Sequence, residues 1–356
     1  AMRTIMLIDM DSFFVACEEL RKPEIRGKPV VVGADPKGGS GRGVVSTANY
    51  EARRYGIKSG MPISTAYRIK KDAIFLPVDE PYYESISRRV MAIIHGFSEK
   101  FEQVSIDEAY IDVTGVVKDY EDAVAYAASI REKILAETGL KCSVGIGPNK
   151  LIAKMACEAA KPNGIRLVKE DEAKQFLADM PIEKLYGVGR KGAEKLRAMG
   201  FKKIADIANA NPVMLFENFG AYGIELSRSA NGIDESEVIS DYTVKSIGRE
   251  LTFDVDTVDM LTIRNALKKM SEEVAEELKR QGFSFKRVTL KIRYSNFDEH
   301  LKSKTISYIS NSAETIYSTA ISIYSSLPHE ELVRKIGVRV SSLEKYKGQR
   351  KIRDYF

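Results

Sequence analysis

A chain of 356 residues with 44% hydrophobic and 29% charged side chains is globular, too long for one ordinary core, and neither disordered nor fibrous, so two to four domains are expected. Its formal net charge of +5 announces no polyanionic partner by itself, so the distribution of charge has to be read instead. Three scattered cysteines (Cys17, Cys142, Cys157) and three histidines (His95, His300, His329) exclude an obvious zinc site or disulfide framework and suggest a reduced, cytoplasmic protein, and no stretch reaches the roughly eighteen apolar residues of a membrane span.

In chain order, residues 4–10 read as a buried strand and 13–20 as an amphipathic helix. A second buried strand, 29–33, leads into a loop with glycine at 38, 39, 41 and 43, expected to be mobile without a ligand. The pattern then predicts a helix over 47–55, a break at Gly60-Met61-Pro62 and a helix to about 71. Further elements are a helix over 81–97, two strands within 101–115, a helix over 121–138, a strand over 142–146 and a helix over 149–160. This order suggests an α+β sheet with an inserted lobe. Residues 171–232 are helical with short glycine turns, and 234–244 read as a polar linker. The last domain reads strand 245–253, helix 257–281, strands 285–294 and 303–309, helix 312–326 and strand 334–342, a βαββαβ unit.

Two apolar strands end in acids about a hundred residues apart: Ile8-Asp9-Met10-Asp11-Ser12 and Ser105-Ile106-Asp107-Glu108. Carboxylates from neighbouring strands can hold two Mg²⁺ ions, which clamp the attacking and leaving oxygens of a phosphoryl transfer. Asp9, Asp107 and Glu108 are therefore the candidate ligands, with the Met10 carbonyl as a further hard oxygen. Thr47, Tyr50 and Arg53, three residues apart, would share one face near a helix start, suited to a triphosphate. Lys161, before Pro162, is by itself ordinary charge complementation at a helix end. The glycine loop has no Gly-Lys-Ser/Thr and is not a Walker A phosphate cradle.

In Leu185-Tyr186-Gly187-Val188-Gly189-Arg190-Lys191, two glycines flanking an aliphatic residue make a hairpin turn whose N–H groups can meet a phosphate. Along 285–294, Val288, Leu290, Ile292 and Tyr294 alternate with Arg287, Thr289, Lys291 and Arg293, while Lys335 and Arg339 take the outward phase of 334–342. Glu272, Glu273, Glu276 and Glu277 collect on a helix, leaving the open sheet face basic, and a strand face with three cations and no acid fits a DNA backbone. At the end of the chain Gln349, Ile352, Tyr355 and Phe356 lie at relative positions 1, 4, 7 and 8, and a helical turn would put Ile352, Tyr355 and Phe356 on a single apolar face, suggesting a partner groove.

The motifs Asp9-Met10-Asp11-Ser12-Phe13-Phe14, Ser46-Thr47-Ala48-Asn49-Tyr50-Glu51-Ala52-Arg53, Ser105-Ile106-Asp107-Glu108-Ala109-Tyr110, Ala160-Lys161-Pro162-Asn163-Gly164 and Lys245-Ser246-Ile247-Gly248-Arg249 together resemble those of Y-family, lesion-bypass DNA polymerases of the DNA polymerase IV type, in their archaeal form. The resemblance spans essentially residues 2–356. It implies an α+β multidomain right hand: a palm (1–12 and 79–168), fingers (13–78), a helical thumb (169–233), a linker (234–244), a βαββαβ little finger (245–343) and a clamp-binding tail (344–356). It implies metal ligation by Asp9, Met10, Asp107 and Glu108, with two Mg²⁺ ions per site and Mn²⁺ able to substitute. Phe13, Phe14, Thr47, Tyr50, Arg53 and Lys161 would hold the dNTP, with Phe14 as the ring that blocks a ribose 2′-OH. Gly187, Val188, Gly189, Lys191, Lys245, Arg249, Arg287, Lys291, Arg293 and Arg339 would hold primer-template DNA. The tail would dock a monomeric polymerase on a trimeric sliding clamp. The implied activity is template-directed, low-fidelity translesion synthesis. Two other readings stay open on the residues alone: a nucleotidyl cyclase with a palm-like site, and a catalytically silent, clamp-bound DNA scaffold.

Overall fold

The structure, a computed structural model, describes residues 2–240 and 244–345. The described residues pack as two compact units, one drawn from residues 2–33, 45–61 and 69–240, the other from 34–44, 62–68 and 244–345.

The first unit begins with β1 (Ile5–Met10), α1 (Phe13–Arg21), β2 (Val30–Gly33), β3 (Val45–Ala48) and α2 (Tyr50–Arg53). In the second unit's share of the chain lies α3 (Ile63–Ile69). The first unit continues with β4 (Ile74–Leu76), α4 (Glu80–His95), β5 (Phe101–Gln103), β6 (Glu108–Asp112), α5 (Tyr120–Thr138), β7 (Cys142–Gly147), α6 (Lys150–Ala160) and β8 (Ile165–Leu167). Its main sheet has the order β5-β6-β1-β7-β8, antiparallel except for β7 with β8. Central β1 is buried at all six positions, which is why its sequence is a continuous apolar run without alternation. Met6 and Ile8 join the core under α4 and α5, while Ile5 and Leu7 face Ala153 and Cys157 of α6. Each such side chain contributes about 1.5–3 kcal/mol by leaving water.

Close packing fixes α6 on the sheet. A Cβ on Gly145 of β7 would lie 1.9 Å from the Ala153 carbonyl oxygen and 2.3 Å from the Cys157 nitrogen, so the helix backbone rests directly on the strand. The Asn149 side chain caps α6 by accepting from the Ile152 N–H at 2.8 Å.

Beside this sheet lies a three-stranded one, β3-β2-β4. Here the predicted helix over 47–55 needs correction. Residues 45–48 pair with β2 as strand β3, and the helix begins only at Tyr50, capped by Asn49. The β-branched Val45 and Thr47 flank a strand, and Asn49 is a helix stop signal in reverse, its side chain accepting from the Ala52 N–H. The short strands β4 and β8 had no sequence prediction.

A helical stretch follows: α7 (Ala173–Ala178), α8 (Arg190–Ala198), α9 (Ile204–Ala208), α10 (Pro212–Phe219) and α11 (Ala221–Ala230), around Leu177, Leu196, Ile207, Leu215 and Leu226. The segment expected to be a free linker is, through residue 240, strapped to the main sheet. Arg3 donates to the Asp234 carbonyl at 3.0 Å, the Leu151 N–H to the Asp234 carboxylate at 3.0 Å, and the Ile239 N–H to Glu102 at 2.8 Å. Val238 is buried with Ile5, Leu7 and Tyr110.

The second unit carries β9 (Ser246–Thr257), α12 (Met260–Gln281), β10 (Phe283–Tyr294), β11 (Glu299–Ser310), α13 (Ala313–Ser325) and β12 (Val333–Ser341), the expected βαββαβ order in a sheet β11-β10-β12-β9. Alternation on β10 decides its faces: Val288, Leu290 and Ile292 are fully buried with Leu267 and Val274 of α12 and Ile316 of α13. Residues 34–44, expected with the fingers, belong to this unit. The glycine loop is wound back on itself, the Gly39 and Gly41 N–H groups both donating to the Pro36 carbonyl, and is anchored by Lys37–Asp254 at 2.8 Å and by Arg42–Asp256. It is a tied loop and not the free one its glycine content suggested.

Candidate active site and nucleic-acid interface

Asp9 ends β1 and Glu108 opens β6, and the two are paired directly across the ladder. Asp107 precedes Glu108, and its carbonyl accepts the Met10 N–H at 3.0 Å, which locks the two strand ends together. Ser105 Oγ donates to Asp107 Oδ1 at 2.7 Å and lies 3.3 Å from Glu108 Oε1. The Met10 side chain is buried in the core, so only its backbone oxygen is on offer.

Two lysines of the α6 region lie over these acids. Lys161 Nζ donates to Asp9 Oδ2 at 2.8 Å and Glu158 Oε1 at 2.7 Å; Lys154 Nζ bonds Glu108 Oε2 and approaches Asp9 Oδ2 to 3.8 Å. Asp9 is only 4% exposed. Burial pushes its carboxyl up to about 7, with Glu108 and Asp107 adding to the rise and Lys161 opposing it. Asp107 is raised as well, first by burial and then by Glu108. Burial acts against the charge of both lysines, but their carboxylate partners outweigh it and raise them. At Asp9 and Asp107, burial thus outweighs the neighbouring Lys161 ammonium. Among the described residues no three Asp, Glu, His or Cys side chains form a ready-made metal cage. Asp9 and Glu108 are both bonded to lysines. Their oxygens are nonetheless the hard donors that Mg²⁺ selects.

Asp11, in the same motif, accepts from Ser143 Oγ at 2.9 Å and from the Asn163 N–H at 2.7 Å, which positions the turn after Lys161. Phe14 stacks on Tyr83, ring centroids 4.4 Å apart at 17°, and the buried Tyr83 hydroxyl donates to Glu18 Oε1 at 2.8 Å. Phe13 is a correction: its side chain is 2% exposed and sits in the core, so it offers a nucleotide only its backbone. Thr47 is a second correction, since on β3 it cannot share a helical face with Tyr50 and Arg53. Tyr50 and Arg53 do meet, the guanidinium 4.5 Å from the ring centroid, with Arg53 Nε donating to the Ala48 carbonyl. Burial raises Tyr50, with Asp11 adding to the rise and Arg53 and Lys161 opposing it, which puts these groups within electrostatic reach of one another. A cavity of about 640 Å³ opens here, lined by Asp11, Ser12, Tyr50, Arg54, Lys141 and Asn163.

In the helical stretch, Gly187, Val188 and Gly189 form the turn before α8, with Gly189 at its start lacking any side-chain cap. The Val188 N–H donates to the Leu185 carbonyl at 3.0 Å, and Lys191 is exposed. On the last sheet, Arg287, Lys291, Arg293, Lys335 and Arg339 share one face, by register. The outward face of β10 itself carries no acid, as its alternation indicates, but Glu250 from β9 and Glu299 from β11 stand on the same sheet face, each paired with two cations. A single strand's alternation cannot reveal what its neighbours contribute. Arg249 is in register with the buried Val338 and 3.8 Å from Glu273 of α12, so it belongs to the helix side and not with this group. Lys245 is exposed just before β9. Gln349, Ile352, Tyr355 and Phe356 lie outside the described residues.

Three family profiles match in chain order: the impB/mucB/samB family over residues 8–158, its helix-hairpin-helix motif over 170–201 and its C-terminal domain over 244–353. DNA polymerase IV 2 of Methanosarcina mazei is 42% identical over 96% of this chain and 92% of its own length. DNA polymerase IV of Methanoculleus marisnigri is 43% identical over 96% and 95%. A solved Y-family DNA polymerase chimera superposes with a TM-score of 0.85 at 32% identity, covering 95% of this chain and 98% of its own. The chain belongs to the Y-family of DNA polymerases. It is a DNA-directed DNA polymerase of the translesion type, with the metal dependence of that family, and the match to polymerases runs nearly the length of the chain. Among the described residues of this polymerase no helix is long and apolar enough to cross a membrane.

Sequence reasoning missed Lys154, Ser105 and Tyr83 in this site. Lys154 had a usable signal: Lys150, Lys154 and Glu158 at four-residue spacing, then Lys161 three further on, make one charged stripe along α6. Tyr83 had none, since its stacking on Phe14 depends on how α4 packs against α1.

Proposed function

We propose that this Y-family chain extends the 3′-OH of a primer on a DNA template by a two-metal mechanism, with a dNTP as substrate and pyrophosphate as leaving group. The observation that supports it most is the buried Asp9–Glu108 ladder pair beside Asp107, with Asp9 raised to about 7 by burial and by the two neighbouring carboxylates. Asp9, Asp107, Glu108 and the Met10 carbonyl would hold two Mg²⁺ ions. Bound there, the ions would acidify the 3′-OH and neutralise charge on the triphosphate. The chain's own groups do the rest. Lys161, Tyr50 and Arg53 hold the triphosphate, and the first N–H groups of α1, uncapped by any side chain, favour an anion. Phe14, held by Tyr83, excludes a ribose 2′-OH. The Gly187–Gly189 turn with Lys191, and the face carrying Arg287, Lys291, Arg293 and Arg339 with Lys245 nearby, hold the DNA backbone. The tail bearing Gln349, Ile352, Tyr355 and Phe356 docks a monomer on a trimeric sliding clamp.

Primer extension with Mg²⁺ and one dNTP tests the site. Asp107→Ala and Glu108→Ala are each expected to lower the extension rate at least about a hundredfold, because even an outer partner of a metal ligand is worth 10–100-fold. Binding of primer-template should change little. Extension at the unaltered rate by either variant would refute the ligand assignment.

A further inference from the structure

Five charges alternate in sign across the exposed sheet face of the second unit. Glu250 on β9 reaches Lys335 on β12 and, with Oε1 3.1 Å from Nζ, Lys291 on β10. Lys291 is also 3.6 Å from Glu299 of β11, which in turn takes Arg293 at 2.6 Å. The line runs Lys335, Glu250, Lys291, Glu299, Arg293, so three of the five cations of this face are already paired, with two carboxylates. Arg287 and Arg339, by contrast, are exposed and have no acidic partner among the described residues.

The contact from β9 to β10 spans a strand, and it exists because of one residue. Gly337 of β12 lies between, paired with Glu250 on one side and Lys291 on the other. A Cβ there would stand 2.9 Å from Glu250 Cγ and 3.6 Å from Lys291 Cβ. Lacking one, the position leaves a trough of about 290 Å³ through which the carboxylate crosses. The pairs are partly buried, with Lys291 and Lys335 only 26% and 24% exposed. Burial works to raise Glu250, yet Lys335 and Lys291 hold it below the usual carboxylate range, and Arg293 does the same to Glu299.

We propose that Glu250 and Glu299 are acidic staples that weaken the grip of this face on DNA, by competing with backbone phosphates for Lys291, Lys335 and Arg293. The inference rests on the reading that this face binds the DNA backbone. A phosphate arriving at Lys291 must displace a carboxylate already there, so fewer counterions are released than the cations alone would predict. Affinity and its salt dependence are thereby held down, and the enzyme leaves its template after short stretches.

The test is the affinity for primer-template, read by fluorescence anisotropy over a range of salt concentrations, with product length per encounter under a heparin trap. Glu250→Gln keeps the shape and removes the charge. It is expected to bind severalfold more tightly at low salt, to steepen the slope of log K against log salt by about 0.9, the value for one further phosphate neutralised, and to make longer products. Glu299→Gln, an independent staple, should do the same, which keeps the proposal testable if either variant folds poorly. Glu272→Gln on α12 changes net charge equally and should leave the slope unchanged. Lys291→Ala separates the two levels of the argument. If it weakens binding while neither glutamine variant alters affinity or slope, the staples are refuted and the DNA face stands. If Arg287→Ala, at a cation with no acidic partner among the described residues, has no effect on binding, the face reading fails and the staples fail with it.

Discussion

Asp9 shows how far a single residue's environment departs from its sequence context. Folding raises its carboxyl from 3.8 to about 7, mainly through burial. The folded state then holds that proton more tightly than the unfolded chain. Its contribution to stability is full below pH 3.8 and is lost as the pH climbs to about 7. In EDTA, the melting temperature should fall over this window, and Asp9→Asn should flatten the fall; an equal slope in both proteins would contradict the shift. Added Mg²⁺ should stabilise the enzyme more at pH 8 than at pH 6, because the ionised carboxylate is the form that binds. A second residue-scale expectation concerns the sugar gate proposed at Phe14. Tyr83→Leu removes a ring stacked at 4.4 Å on Phe14. With stacking worth ~0.5–1.5 kcal/mol, discrimination against ribonucleotides should drop between about two- and tenfold. Steady-state incorporation of paired dNTP and rNTP would measure it, and undiminished discrimination would mean Phe14 is held by other contacts.

Among the elements, α6 carries most of the site's organisation. It brings Lys154, Glu158 and, at its end, Lys161 over the acids of β1 and β6, and it can do so only because Gly145 lets its backbone touch β7. Gly145→Ala would place a methyl group 1.9 Å from the Ala153 oxygen, which the helix can relieve only by moving. A loss of roughly 1–3 kcal/mol is expected from chemical denaturation, accompanied by a disproportionate fall in extension rate as the lysines shift. Stability within error of the parent would show that the helix has slack. The same element scale explains the sheet of the second unit. Alternation along β10 gave its faces correctly, while the acids that temper its cations come from β9 and β11, which register alone brings alongside.

At the scale of the molecule, the strap over 234–240 matters most. Val238 and the partners Arg3, Glu102 and Lys150 bind it to the main sheet, which shortens the segment that a composition-based reading would leave free. The tail is also a whole-molecule matter. Deleting residues 349–356 should leave extension on short primers unchanged and abolish stimulation by a trimeric sliding clamp; equal stimulation of both forms would mean that the tail serves another purpose.

Sequence by itself determined the apolar strands, the amphipathic helices and the βαββαβ order, because each follows from periodicity within a few residues. It also singled out Asp9, Asp107 and Glu108 as a candidate cluster, because two apolar strands of one predicted sheet both end in acids. Tertiary structure decided the rest. Thr47 lies on a strand because β2 is there to pair with it, Phe13 is in the core because α1 turns it inward, and Arg249 falls on the helix side because its register is set by β12. Lys154, Tyr83, Glu250 and Glu299 act on residues 46, 69, 41 and 8 positions away in the chain, respectively on Glu108, Phe14, Lys291 and Lys291, and a distance of that kind is set by packing and strand pairing, which no local pattern encodes.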